Sequence, residues 1–107
     1  MFVKNIDTIS QPCGDGVTRK ILAHDGGLMM VEVSFNKGAV GEVHKHPHEQ
    51  ISYIASGSFE FDIAGNKKIV EKGDSIYIPK DAAHGVLALE DSVIVDVFTP
   101  QREDFLN

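Results

Sequence analysis

Polar and apolar residues alternate with period two through most of the chain, in short runs separated by turn-forming residues. In the run Leu28-Met29-Met30-Val31-Glu32-Val33-Ser34-Phe35, the residues Met29, Val31, Val33 and Phe35 fall on one face, because successive side chains of a strand point to opposite sides. Residues 58–63 alternate in the same way, with Phe59, Phe61 and Ile63 inward. Gly65-Asn66 then signals a tight hairpin, and residues 67–71 return as its second strand. Ser56-Gly57 and Gly73-Asp74 mark further turns, and residues 75–78 end at Pro79, which cannot continue an internal ladder. Residues 84–89 and 92–98, with Glu90-Asp91 between them, complete the set. No stretch carries a helical period. The pattern predicts an all-β barrel or jelly roll.

At 107 residues the chain has room for one domain and one core. We place that single domain at 1–107, with a barrel core over about 17–98, an N-terminal arm at 1–16 and a C-terminal tail at 99–107. The first dozen residues read equally as a loose arm or an edge strand, and the tail as a wrap over the barrel or one short turn. An apolar fraction of 42% is ordinary for a globular protein. The start, Met-Phe-Val-Lys-Asn-Ile-Asp, has an acidic residue where a signal peptide would be apolar, and no apolar run approaches a membrane span. A soluble cytoplasmic protein is the expectation. Cys13 is the only cysteine, which excludes an internal disulfide and a Cys-x-x-Cys zinc clip. The net charge of −6 argues against nucleic acid and anionic membrane as partners, but not against a small acidic ligand at a local cationic site.

The candidate chemistry lies in Gly38-Ala-Val-Gly-Glu-Val-His44-Lys45-His46-Pro-His48-Glu49-Gln50, answered by His84 after Pro79. In an extended stretch His44 and His46 project to one side and Lys45 to the other. Two imidazoles there, with His84 and the Gln50 amide oxygen from neighbouring strands, make a donor set for one divalent metal ion. Imidazole and amide donors accept nickel, zinc, iron, cobalt, copper or manganese. Glu49 is one residue out of phase with Gln50 and faces away on a regular strand; a bulge would make it the alternative fourth ligand. His48 reads as solvent-facing or as a support for the ligands, and His24 as a surface residue.

These residues resemble the cupin superfamily. Gly38, His44, His46, Gln50 and Gly57 stand at the spacings of its first motif, and Gly73, Pro79 and His84 at those of its second. Asp81 replaces the turn glycine of the second motif. Gln50 stands where most cupins carry glutamate. An amide leaves the full charge on a divalent ion, favouring polarisation of a substrate oxygen over redox chemistry. More narrowly, residues 29–35, His46-Pro-His-Glu-Gln50 and the ending Asp96-Val-Phe98-Thr-Pro-Gln-Arg102-Glu-Asp-Phe resemble the KdgF group of small cupins. That resemblance implies metal-dependent conversion of 4,5-unsaturated monouronates from pectin or alginate into linear keto-uronates. It implies His44, His46, Gln50 and His84 as the metal shell, and Asp96 and Arg102 as catalytic residues.

The residues themselves fit those roles. Asp96 shares a strand face with Ile94 and Phe98, and a carboxylate among apolar neighbours is costly to bury unless paired or used. Otherwise it is an outward-facing aspartate, or one tied to an arginine. A guanidinium suits a uronate carboxylate; Arg102 is the first candidate, and Arg19 equally a surface residue. Glu32 is open between a site group and an exposed one. Other readings of the same framework are another isomerase, an oxygenase, or a non-catalytic sugar-binding cupin. A β-sandwich this small has edges to protect, so a homodimer through strand exchange or sheet packing is expected.

Overall fold

The structure, a computed structural model, describes residues 1–106. Ten strands are present: β1 (Gln11–Gly14), β2 (Val17–Asp25), β3 (Leu28–Phe35), β4 (Val40–His44), β5 (Glu49–Ser56), β6 (Ser58–Ile63), β7 (Asn66–Glu71), β8 (Ser75–Ile78), β9 (His84–Ala88) and β10 (Ser92–Thr99). They form a six-stranded sheet in the order β1-β2-β3-β10-β5-β8 and a four-stranded sheet in the order β4-β9-β6-β7, with every pairing antiparallel. This is the jelly roll that the alternation predicts.

The two sheets close on the inward positions. Val17, Phe35, Ile54, Phe59, Phe61, Ile78, Ala88 and Ile94 form one buried cluster, and Met29, Val31 and Phe98 a smaller one. Phe35 and Phe59 meet edge to face at 5.1 Å, an arrangement aromatic pairs favour. Gln11–Gly14, within the segment read as an arm, is an edge strand on β2. The hairpin after β6 turns at Ala64 and Gly65, both with positive φ, one residue earlier than the sequence suggests, because Asn66 already pairs with Ile63. Asp81 adopts φ 63°, a left-handed conformation that Asp tolerates better than most residues.

Gly57 shows why a motif glycine is needed. Its φ is 79°, and a Cβ there would lie 1.9 Å from Ser92 Oγ and 2.7 Å from the Asp91 carbonyl. The close turn lets the Ser92 hydroxyl accept from the Ser58 amide at 3.0 Å, tying β6 to the start of β10.

After β10 the chain turns back. The Gln101 amide donates to the Gly26 carbonyl, 2.9 Å, and His24 Nδ1 donates to Gln101 Oε1 at 3.0 Å. The tail thus docks on the β2–β3 turn and makes a short 3-10 turn at Glu103–Phe105, which brings Phe105 against Phe98.

Candidate metal centre and cavity

The three motif histidines converge. His44 ends β4 and pairs with His84 at the start of β9. Gly85 permits that approach: a Cβ there would meet the Gly41 carbonyl and Val43, both at 2.9 Å. His46 differs from the sequence reading in one respect. It lies past the end of β4, in the linker just before the Pro47-His48 bend that leads to β5, so it is held outside the strand ladder. The three rings still lie 4.5–5.5 Å apart, and each offers a nitrogen within 4.8 Å of the others'.

These residues fit a divalent metal ion. His44 Nδ1 donates to the Glu42 carbonyl at 2.8 Å and His84 Nδ1 to the Ala82 carbonyl at 2.9 Å. Those bonds fix the tautomer and leave each Nε2 lone pair available. His46 carries a buried Nδ1 without a partner among the described residues. Burial, reinforced by the Arg102 and His84 charges, lowers the His46 pKa to about 4, and burial also lowers that of His84. Neutral imidazoles are the form a metal binds.

Gln50 is buried on β5, with its Oε1 3.0 Å from His46 Nε2, so that one metal ion would take both atoms as ligands. Its amide nitrogen points the other way, donating to Ser52 Oγ at 3.0 Å and to Asp96 Oδ1 at 3.1 Å. That network assigns the amide orientation. Gln50 therefore bridges His46 and Asp96, offering the Asp96 carboxylate an N–H that an ionised glutamate lacks. Glu49 is exposed on the opposite face of β5, where its carboxylate accepts from the Tyr77 hydroxyl.

Asp96 faces the cavity from the centre of β10. Ser52, fully buried, donates to Asp96 Oδ1 at 2.6 Å. Burial pushes the Asp96 pKa up to about 6, against the lowering effect of the Ser52 and Gln50 hydrogen bonds and of Arg102. Ser52 was not singled out from the sequence, although its period-two position between Gln50 and Ile54 was the available signal. Arg102 is 9% exposed. Its Nε and Nη2 donate to the two Asp104 oxygens at 3.0 and 2.8 Å, and its guanidinium lies 5.1 Å from the Phe98 ring centroid.

Around these groups lies a cavity of about 650 Å³ whose lining includes His44, Gln50, His84, Asp96, Phe98 and Arg102. Arg19, read as equally a surface residue, lines it too. Glu32 does not: it is on the outer face, accepting from Asn5 Nδ2 at 3.1 Å. His48 is half-buried, its ring 5.3 Å from that of His46, and His24 holds the tail rather than standing free on the surface.

The comparisons with known proteins agree with this geometry. The cupin domain family matches residues 31–98. The chain is 49% identical over 102 residues to the pectin degradation protein KdgF of Dickeya dadantii, covering 94% of this chain and 93% of that protein. The solved structure of KdgF from a Halomonas species superposes with a TM-score of 0.94 at 41% identity, covering 98% of this chain and 97% of that one. An RmlC-like cupin from Shewanella frigidimarina also gives 0.94, at 36% identity, covering 97% and 94%. With the motif histidines gathered at one end of a jelly roll and these relatives matching nearly end to end, the chain belongs to the cupin family, and within it to the KdgF group.

Proposed function

We propose that the protein catalyses metal-dependent ketonisation of 4,5-unsaturated monouronates derived from pectin or alginate, giving linear keto-uronates. The observation that carries this reading is the Asp96 carboxylate. It lines the cavity with Arg102 and accepts from the Gln50 amide, which in turn meets His46. His44, His46, His84 and Gln50 would hold the metal ion, which when bound supplies Lewis-acid polarisation of a substrate oxygen.

The chain's own residues account for the proton movements. Opening the hemiacetal breaks the bond from C1 to the ring oxygen, removes the proton of the C1 hydroxyl and leaves the C5 oxygen as an enolate. Ketonisation then places a proton on C4. The two changes cancel, so the product is an isomer and no oxidant is needed. Asp96, directly or through one water, takes the first proton and returns the second. Ser52 and Gln50 hold its Oδ1, leaving Oδ2 without a hydrogen bond among the described residues. Arg102 supplies the positive charge that draws the substrate's carboxylate to this end of the cavity.

The same reading includes a cytoplasmic homodimer. Cys13 is free and exposed, as suits a reducing compartment, and among the described residues no helix is long and apolar enough to cross a membrane. On the outer face of the six-stranded sheet, Met30, Val97, Ile51 and Tyr77 stand in one cross-strand row. Met30, Ile51 and Tyr77 are 40–54% exposed. Phe2 in the N-terminal arm is fully exposed. A second copy of this chain is the partner that would cover both.

The test is loss of the conjugated double bond's absorbance when metal-replete protein meets freshly generated unsaturated galacturonate. A rate well above the spontaneous background, abolished by a chelator or by His84→Ala, supports the assignment. No acceleration with metal bound would refute it.

A further inference from the structure

Arg19 occupies an unusual place for a residue of its type. On β2 it alternates with Val17, a member of the main core cluster, and Ile21, packed against the smaller one. It is therefore on the inner face of the sheet, pairs across to Val33 and lines the cavity. Its guanidinium carbon lies 3.8 Å from the Phe105 ring centroid, and that of Arg102 lies 4.2 Å from the same centroid. The folded-back tail thus gathers both of the chain's arginines at one end of the cavity.

The two guanidinium groups differ in what they have left to give. The Nε–Nη2 fork of Arg102 is occupied by Asp104. Among the described residues, Arg19 donates from Nε alone, to Gln11 Oε1 at 3.5 Å, and no carboxylate lies within 4.0 Å of it. Arg19 is half-buried on an inner sheet face, where an anion at its guanidinium would be screened less than in open water. The ring under it restricts its swing, so its planar donors are held ready for a planar acceptor.

We propose that Arg19 is the specificity residue of this cavity, pairing in bidentate fashion with the carboxylate of an acidic monosaccharide while Arg102, held by Asp104, adds charge beside it. The proposal rests on the uronate reading above and refines it. The carboxylate is taken at the β2 wall rather than by Arg102 alone. Discrimination of an acidic sugar from its neutral counterpart depends on Arg19.

The test uses metal-loaded protein as wild type, Arg19→Gln and Arg19→Lys. Turnover of unsaturated galacturonate is followed together with calorimetric binding of two stable probes, galacturonate and galactose. A charge-assisted bidentate pair lost to glutamine should raise KM about 10- to 100-fold, with kcat changed less than about threefold. Affinity for galacturonate should fall in parallel while that for galactose stays constant. The lysine variant keeps charge and much of the packing but has no fork, and should fall between. A purely structural role in clipping the tail would lower affinity for both probes alike, and that result overturns the proposal. So does a wild type without preference for galacturonate, or a lysine variant with wild-type KM. If wild type binds galacturonate through Arg19 yet turns over no unsaturated uronate, the ketonisation reading fails and Arg19 stands. If turnover is brisk and indifferent to Arg19, the reverse holds.

Discussion

The same strands build two unlike ends of the sandwich. Along β5 the inward positions run Gln50, Ser52, Ile54; along β10 they run Phe98, Asp96, Ile94; along β9 they run His84, Val86, Ala88. Toward Ile54 and Ile94 the space between the sheets is filled around Phe59, and Phe35, Phe61 and Ile94 belong at once to that core and to the cavity wall. Toward Gln50 and Asp96 the same inward positions carry groups that need partners, and a cavity opens. The closed end gains stability from burying apolar surface. The open end holds a buried carboxylate and an orphaned imidazole nitrogen, which reduce stability in exchange for chemistry. Substitutions at the two ends should therefore separate folding from function.

The largest effect is expected at the closed end. Phe59 is fully buried, and Phe59→Ala should cost about 3–5 kcal/mol, a large part of the total stability of a domain this size. Denaturant unfolding would show it, and a loss below about 1 kcal/mol would mean that the cluster repacks. At the open end Asp96→Asn should reduce turnover by about 10²- to 10⁴-fold without loss of bound metal. Its stability should move the opposite way. A carboxyl whose folded pKa is raised above its unfolded value contributes stability that is present at low pH and lost as pH rises through the folded value. With Asp96 raised from 3.8 to about 6, metal-free wild type at pH 8 bears the cost of a buried charge, on the order of 2–3 kcal/mol. The asparagine variant escapes that cost, so its melting temperature at pH 8 should exceed that of wild type, and the gap should close toward pH 4. An equal gap at both pH values would detach the effect from Asp96 ionisation.

Gln50→Glu probes the join between the ends. It supplies a charged donor toward the histidines but sets a carboxylate against Asp96, where an N–H stood 3.1 Å away. Metal should remain bound while kcat falls about 10- to 100-fold. Unchanged kcat would show that the amide's bond to Asp96 has no part in the reaction.

What the sequence reveals and what it conceals follows the same division. Alternation in residues 28–35 and 58–63 names the inward face directly, because a one-residue slip would expose the whole set. The same rule separates Gln50 from Glu49. His44, His46 and His84 are legible because motif spacing survives even though His46 leaves the strand. Arg19 was harder to place: Thr18, Arg19 and Lys20 are adjacent polar residues, and they blur the alternation of Val17, Arg19 and Ile21. Phe105 was beyond reach, since its position depends on Gln101 and His24 docking the tail, a tertiary contact with no local signature.

Asp104→Asn should give the smallest change and completes the comparison at the rim. Arg102 lowers the Asp104 pKa from the usual carboxylate value, chiefly through its hydrogen bonds. The side chain of Asp104 is 58% exposed, so solvent screens the pair and its removal should cost less than about 1 kcal/mol. Turnover is the more informative readout. With the carboxylate gone, Arg102 regains a free fork beside Phe98 and Phe105, and a substrate carboxylate has two arginines able to grip it. KM should then fall slightly, by about two- to threefold. In the Arg19→Gln background the same change should recover part of the lost affinity, because the freed Arg102 substitutes for the missing fork. A KM that rises instead would mean that Asp104 serves to aim Arg102 into the cavity. The cationic end would then work as one rigid unit rather than as two arginines sharing an anion.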